Sequence, residues 1–249
     1  MTGPAMDVVF QGRQLWWWRG PSPRLPEPLL VLPEGPRVHR VPEGAPLPAG
    51  VQLLGLREAY GVLPWADWLR AGRAWQWLTW SEAHRHCGAC GTPLAAGEGA
   101  GRKCPACGLQ VFPAASTAVI VLIRREGELL LARSPHFKPG VYSAVAGFAE
   151  PGESLEQAVH REVMEELGVR IHRLAYFSSQ PWPFPNGLMV GFKADYLDGE
   201  VRPDAAEIED ARWFPLDGLP ELPGELSISR WLLEDALGRR MAPAWETQV

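Results

Sequence analysis

The sequence predicts an α/β sandwich domain preceded by a compact four-cysteine module and a β-rich N-terminal domain. Three observations predict it. Strand-like and helix-like segments mix in order through residues 114–240. The four cysteines crowd into a single turn-rich stretch, Cys87 to Cys107. Prolines and tryptophans gather in the first part of the chain, where proline blocks helix interiors and central strands and leaves short edge strands and turns.

These shifts divide the 249 residues into an N-terminal α+β domain (1–85), the cysteine module (86–113), the sandwich domain (114–240) and a tail (241–249). In the first region Pro21, Pro23, Pro26, Pro28, Pro33 and Pro36 are closely spaced, Gln14–Trp18 reads as a strand, and 65–80 reads as a helix. Its tryptophans are read as core in preference to a stacking platform for bases. The sandwich domain opens on the apolar run Ala118–Ile123, turns at Glu126-Gly127 and returns through Leu129, Leu130 and Leu131. A helix follows at 154–167, then further strands, then a C-terminal helix at 227–237.

The formal charge of −5 gives no general attraction to nucleic acid or to an anionic membrane. No apolar run reaches the roughly 18 residues that span a bilayer, and the start of the chain lacks the pattern of a secretory signal. A secreted disulfide scaffold would spread more cysteines through a smaller chain. The expectation is a cytoplasmic protein without a membrane segment.

Cys87-Gly-Ala-Cys90 and Cys104-Pro-Ala-Cys107 are two knuckles separated by thirteen residues, each followed by glycine. Two such hairpins supply the four tetrahedral thiolates that zinc prefers, and a closed set leaves no position for substrate. The zinc is therefore expected to hold the fold. A redox dithiol is usually a single such pair beside a βαβ unit. A nucleic-acid-binding ribbon would have only Arg85, Arg102 and Lys103 as fixed cations.

The stretch from Gly147 to Val169 carries the chemistry. Ser154 and Gln157 form a capping box at the helix start, and Gly168 suits a left-handed end. Leu155, Val159, Val163 and Leu167 make an apolar stripe. Glu162, Glu165 and Glu166 then fall within an arc of about 100° that borders the stripe. Clustered carboxylates there are expensive unless a cation joins them, and carboxylate oxygens are what Mg²⁺ and Mn²⁺ prefer. The competing reading is a solvated acidic face.

The same stretch resembles the Nudix box, Gly-x5-Glu-x7-Arg-Glu-U-x-Glu-Glu-x-Gly-U with U a bulky aliphatic, at every specified position. The resemblance implies a Nudix α/β/α sandwich that hydrolyses a nucleoside diphosphate linked to another moiety with Mg or Mn. By that analogy Glu162 and Glu166 are metal ligands, Glu165 is a further ligand or positions water, and Glu153 pairs with Arg161 to fix the loop. Glu166 is the candidate general base.

Downstream, Ser179-Gln-Pro-Trp-Pro-Phe-Pro-Asn-Gly187 is on its own residues a rigid aromatic loop, open to use as a core wedge, a partner-binding strand or a base-stacking wall. It closely resembles the signature of the NADH pyrophosphatase branch of Nudix enzymes, which also carries a zinc ribbon ahead of its Nudix domain. That resemblance implies a dinucleotide site along Gln180, Pro181, Trp182, Pro183, Phe184, Pro185, Asn186 and Gly187, with Phe148 stacking on a base. It adds Glu207 as a metal ligand, Ala146 as a carbonyl donor to metal, and Phe112, Arg57 and Ser229 as ligand-contacting positions. Three residues depart from the branch pattern: Gly187 replaces serine, Phe112 replaces tyrosine, and Ser229 replaces alanine.

The implied reaction is cleavage of NADH or NAD to AMP and nicotinamide mononucleotide. The same cut would remove an NAD cap from RNA 5′ ends. A generic ADP-ribose or nucleotide-sugar hydrolase is a further reading, and a zinc-ribbon binding protein with a degenerate Nudix domain is a non-enzymatic one. The branch also implies a homodimer.

Overall fold

The computed structural model describes residues 7–19, 22–32, 35–94 and 101–239. Pro21, Pro33 and the expected tail at 241–249 lie outside the described residues. The chain divides into two compact units, Met1–Ala115 with Trp182–Asn186, and Ser116–Pro181 with Gly187–Val249.

The first unit contains strands β1 (Asp7–Gln11), β2 (Gln14–Trp18), β3 (Leu30–Val31), β4 (Arg37–Val41) and β5 (Val51–Gly55), helices α1 (Leu56–Ala59) and α2 (Trp65–Ala83), and the short strands β6 (Arg102–Lys103) and β7 (Gln110–Val111). The first five strands form a sheet in the order β3-β4-β1-β2-β5. β1 and β2 are an antiparallel hairpin, whereas β1 and β4 pair in parallel. The proline-flanked β3 is two residues long and sits at the sheet edge, where a missing backbone donor is tolerated.

Of the first region's eight tryptophans three are buried and five are half-buried. Trp16, Trp68 and Trp80 are buried, and Phe10 packs on Trp75 with ring centroids 5.0 Å apart. Two of these indoles find acceptors: Trp16 Nε1 donates to Gln11 Oε1 at 2.9 Å, and Trp68 Nε1 donates to the Leu56 carbonyl at 2.8 Å, whereas Trp80 Nε1 is buried with no hydrogen-bond partner among the described residues.

The second unit contains β8 (Ser116–Arg125), β9 (Glu128–Arg133), β10 (Val145–Phe148), α3 (Leu155–Leu167), β11 (Arg170–Trp182), β12 (Gly187–Asp198), β13 (Asp210–Pro215) and α4 (Ile228–Ala236). Its sheet runs β11-β12-β8-β9-β13, with β10 also paired to β8. β12 lies parallel to β8, and β9 and β10 lie antiparallel to it. The long apolar β8 thus serves three neighbours, which explains its continuous burial from Ala118 to Ile123.

Helix α3 begins at the Ser154 cap, whose side chain accepts from Gln157 N while Gln157 reaches back to Ser154 N. It ends at Gly168, where φ is 70°. Val159, Val163 and Leu167 are fully buried against Val119, Val121 and Ile123 in one apolar cluster. No helix among the described residues is long and apolar enough to cross a membrane.

Candidate active site and metal centres

The four-cysteine module folds as two matching knuckles. Cys87 N donates to Thr92 O and Gly91 N to Cys87 O, and the second turn repeats this with Cys104 N to Leu109 O and Gly108 N to Cys104 O. Gly91 and Gly108 adopt φ of 73° and 77°, the left-handed conformation that lets each loop reverse. The four Sγ atoms lie within 4.8 Å of one another, and two pairs stand 3.6 Å apart. Sulfurs about 2.3 Å from a tetrahedral zinc are about 3.8 Å from each other, so the cluster fits the ion.

The thiols also show why a cation belongs there. Thr92 holds the Cys90 thiol down to about 6. The Leu109 amide lowers Cys107, but the sulfurs of Cys104, Cys87 and Cys90 prevail and push it up to about 12. Arg102, counted among the ribbon's cations, is buried; it donates to Ser81 Oγ at 2.6 Å and to Ser81 O at 3.2 Å. Only Arg85 and Lys103 remain of the thin basic footprint.

In the second unit, Arg161 is the hub of the loop between β10 and α3. Its Nε donates to Glu153 Oε1 at 2.6 Å and its Nη2 to Glu153 Oε2 at 2.9 Å. The same Nη2 holds the Phe148 carbonyl at 2.9 Å, and Nη1 reaches Glu162 at 2.9 Å and Glu165 at 3.0 Å. The Arg161 guanidinium, then the Glu150 amide, hold the Glu153 carboxyl down to about 2.

Glu162 and Glu166 are 9% and 6% exposed, so this is no solvated acidic face. Burial pushes the Glu166 carboxyl up to about 8, reinforced by Glu162, Glu207, Asp204 and Glu165. Burial also raises Glu162, against the pull of Arg161. Glu165 and Glu207 are exposed, as is Ala146 on β10. The carboxylate oxygens are not drawn together as the cysteine sulfurs are: within 4.8 Å, the cysteines form the one group of three or more candidate ligands among the described residues. The donor set nevertheless fits a divalent cation, because like-charged buried oxygens need one to ionise together.

Asp204 is a member of this electrostatic group that the sequence did not reveal. Its backbone N–H is anchored on Glu166 O at 2.9 Å, and no periodicity marks it. Gly147 is a second. A Cβ there would stand 1.9 Å from Glu162 Cδ, so only glycine leaves room for that carboxylate. Gly147→Ala is expected to displace Glu162 and lower kcat/KM by about 10²-fold, the cost of moving a reacting group by roughly 1 Å. Steady-state kinetics check this, with near-wild-type circular dichroism as the control.

In the first unit, the loop Trp182–Asn186 seats Pro183 against α2 at Gly72, where a Cβ would be 3.1 Å from the proline ring. Trp182 and Phe184 meet edge to face at 5.0 Å. The Arg57 guanidinium lies 3.9 Å over Phe184 and 5.0 Å from the Trp182 ring centre. Asn186 donates to the Ala114 carbonyl. A cavity of about 860 Å³ is lined by Arg13, Arg40, Arg57, Trp75 and Phe184, among others. Phe112 lies on Gly101 and leaves its other face open at 58% exposure. In the second unit Phe148 is 64% exposed, Pro181 is exposed and Gly187 is half-buried.

Gln180 and Ser229 point inward. Gln180 has no exposed surface; its Nε2 donates to Leu226 O at 2.5 Å and its Oε1 accepts from Ile228 N at 2.9 Å. Ser229 is 1% exposed, with its hydroxyl 2.8 Å from Ser143 Oγ and accepting from Ala144 N at 3.1 Å. Gln180→Leu would orphan the buried Ile228 N–H and leave the half-buried Leu226 carbonyl without its donor, and is expected to cost about 1–3 kcal/mol, read by urea denaturation.

Residues 113–234 match the family described as the NUDIX domain. The chain is 48% identical over 205 residues to the NAD-capped RNA hydrolase NudC of Deinococcus radiodurans, covering 80% of this chain and 73% of that one. It is 46% identical over 248 residues to the protein of the same name from Chromobacterium violaceum, covering 95% and 93%. Among solved structures, the crystal structure of a Nudix hydrolase from Nitrosomonas europaea matches with a TM-score of 0.51 at 23% identity, covering 63% of this chain and 94% of that one, a likeness of fold alone.

Proposed function

The chain belongs to the Nudix hydrolases, in the branch of NADH pyrophosphatases and NAD-capped RNA hydrolases, and on that premise we propose that it cleaves the pyrophosphate of NADH or NAD to AMP and nicotinamide mononucleotide. The observation that carries the reading is the burial of Glu162 and Glu166 together, with Glu162 held by Arg161. A binding protein with a degenerate Nudix domain would have no use for two desolvated carboxylates.

Glu162, Glu165, Glu166, Glu207 and the Ala146 carbonyl are the residues we assign to Mg²⁺ or Mn²⁺. Such ions neutralise phosphate oxygens and lower the pKa of the attacking water. The chain supplies the rest. Arg161 fixes the orientation of Glu162 and Glu165 and, through Glu153 and the Phe148 carbonyl, the loop that carries them. Glu166 is the residue we assign as general base, to accept the proton that the water gives up. In the second unit Phe148 offers an open face for a planar base; in the first unit Phe112 is likewise open, and Trp182, Pro183, Phe184, Pro185 and Asn186 with Arg57 form an aromatic wall of the kind a dinucleotide stacks on.

Removal of an NAD cap from RNA is the second reading. It is favoured by Arg13 and Arg57 beside the cavity of the first unit, neither of which forms an ion pair among the described residues. The cavity lining holds Arg13, Arg40 and Arg57 against Glu58 and Glu82, a local excess of positive charge in a chain of net charge −5. Zinc in the cysteine cluster, a homodimer, and a reducing cytoplasm that keeps four neighbouring thiols from oxidising complete the proposal.

The test is a panel of NADH, NAD⁺, ADP-ribose and NAD-capped RNA incubated with Mg²⁺ or Mn²⁺. Release of AMP from the dinucleotides, or of 5′-monophosphate RNA, is expected. Turnover of ADP-ribose alone would move the chain to the generic class, and no turnover of any substrate would remove the enzyme reading.

A further inference from the structure

Gln180 and Ser229 align by resemblance with ligand-contacting positions, yet both spend their hydrogen bonds inside the second unit. We propose that Ser229, with Gln180, is a positioning residue: the two clamp the first turn of α4 and thereby set the backbone that presents the Ala146 carbonyl to the catalytic metal. This rests on the hydrolase reading above.

The geometry is continuous. Ser227 caps α4, accepting from Ser229 N at 3.2 Å. Gln180, at the end of β11, takes the Ile228 N–H and the Leu226 carbonyl, which are the first helical residue and the loop before it. That fixes the height of the turn. Ser229, one residue on, then reaches Ser143 Oγ and Ala144 N, just before β10.

Among the described residues β10 pairs with β8 alone, and Ser143 before it bridges to Ala132 of β9. In extended backbone, alternate residues turn their N–H and C=O groups to the same edge. The edge Ser229 occupies at Ala144 is therefore the edge on which Ala146 presents its carbonyl. Without the hydroxyl, the start of β10 loses its tether on that side. An alanine at 229 fills the space but supplies no acceptor for Ala144 N–H, which is buried.

The experiment measures Mn²⁺ binding directly, from the free-ion signal in electron paramagnetic resonance, on zinc-loaded protein, beside KM for NADH. Ser229→Ala is expected to raise the Mn²⁺ dissociation constant about 10-fold, as loss of a supporting hydrogen bond does at metal sites, with KM unchanged. A raised KM with Mn²⁺ affinity intact would make Ser229 a ligand contact and overturn the proposal. Unchanged values of both would overturn it equally. Ser143→Ala, which leaves the bond to Ala144 N, is expected to give a smaller rise in the same direction and serves if Ser229→Ala does not fold; an unchanged constant there also counts against it. Wild-type protein that binds Mn²⁺ but cleaves no dinucleotide would defeat the hydrolase reading, while the Mn²⁺ constants would still decide the clamp.

Discussion

Glu166→Gln is expected to lower kcat by about 10²–10⁴-fold, the range that general base catalysis contributes, with little change in fold. Glutamine matches glutamate in shape but cannot accept a proton or bring charge to a cation. The side chain is 6% exposed, so no water replaces the lost group. Steady-state kinetics at saturating Mn²⁺ check it. Full activity in this variant would remove Glu166 both as the base and as a required metal ligand, and leave the fold standing.

The same residue sets a pH dependence whose sign can be worked out. Burial first, then the neighbouring carboxylates, push Glu166 up to about 8 from its ordinary 4.5. Below 4.5 the group is protonated in both folded and unfolded chains, and its contribution to stability is intact. Between 4.5 and 8 the unfolded chain is ionised and the folded one is not, so stability falls as pH rises. Zinc-loaded protein without Mg²⁺ or Mn²⁺ is expected to show this loss in Tm between pH 5 and pH 8. Glu166→Gln removes that component, and added Mn²⁺ opposes it by favouring the ionised form. Glu153 behaves in the opposite way. Held down to about 2 by Arg161 and the Glu150 amide, it stabilises the fold above its ordinary value of 4.5, and that stabilisation is lost as pH falls toward 2. Two carboxylates of one motif thus favour opposite ends of the pH scale because one is solvated and paired while the other is desolvated among like charges.

The legible parts of the sequence are those whose structure is decided locally. The helix at 154–167 is specified by the Ser154–Gln157 box, a four-residue apolar stripe and Gly168, and it forms as Leu155–Leu167. The knuckles are specified by cysteine spacing and a following glycine. The strand Gln14–Trp18 forms as read, and the predicted helix at 65–80 continues to Ala83. What was not legible depends on partners distant in sequence. The parallel pairing of β1 with β4 joins segments about thirty residues apart, with prolines between them. The residues Trp182–Asn186, read within the sandwich domain, group with the first unit because Pro183 packs on Gly72 and Arg57 covers Phe184. Asp204 gains its influence on Glu166 through a backbone hydrogen bond that no side-chain pattern announces. Gln180 and Ser229 show the limit most clearly. A polar residue in a motif can face a ligand or the interior, and only the position of α4 decides which.

Removing zinc is expected to unfold the cysteine module while the sandwich core persists. Apart from Arg102, which is tied to Ser81 on α2, the module has little else to hold it. Its apolar cluster of buried residues is Cys87, Leu94 and Cys104, two of them proposed zinc ligands, and β6 and β7 are two residues each. Structural zinc in such small folds supplies about 10–16 kcal/mol of apparent binding energy, far beyond what two short strands and one leucine provide. Stripping the ion leaves four thiols within 4.8 Å of one another, with Cys107 resisting ionisation and Cys90 favouring it. Hydrogen exchange is the direct readout. The amides of Cys87, Gly91, Cys104 and Gly108 are hydrogen-bonded within the knuckles and should lose protection on chelation, as they should in Cys104→Ser. Those of Val159, Val163 and Leu167, buried in the core of the second unit, should keep theirs. Protected knuckle amides without zinc would mean that the protein scaffold alone holds the ribbon. Loss of protection at α3 would mean that the cysteine site supports the catalytic helix, and that its metal serves the chemistry as well as the fold.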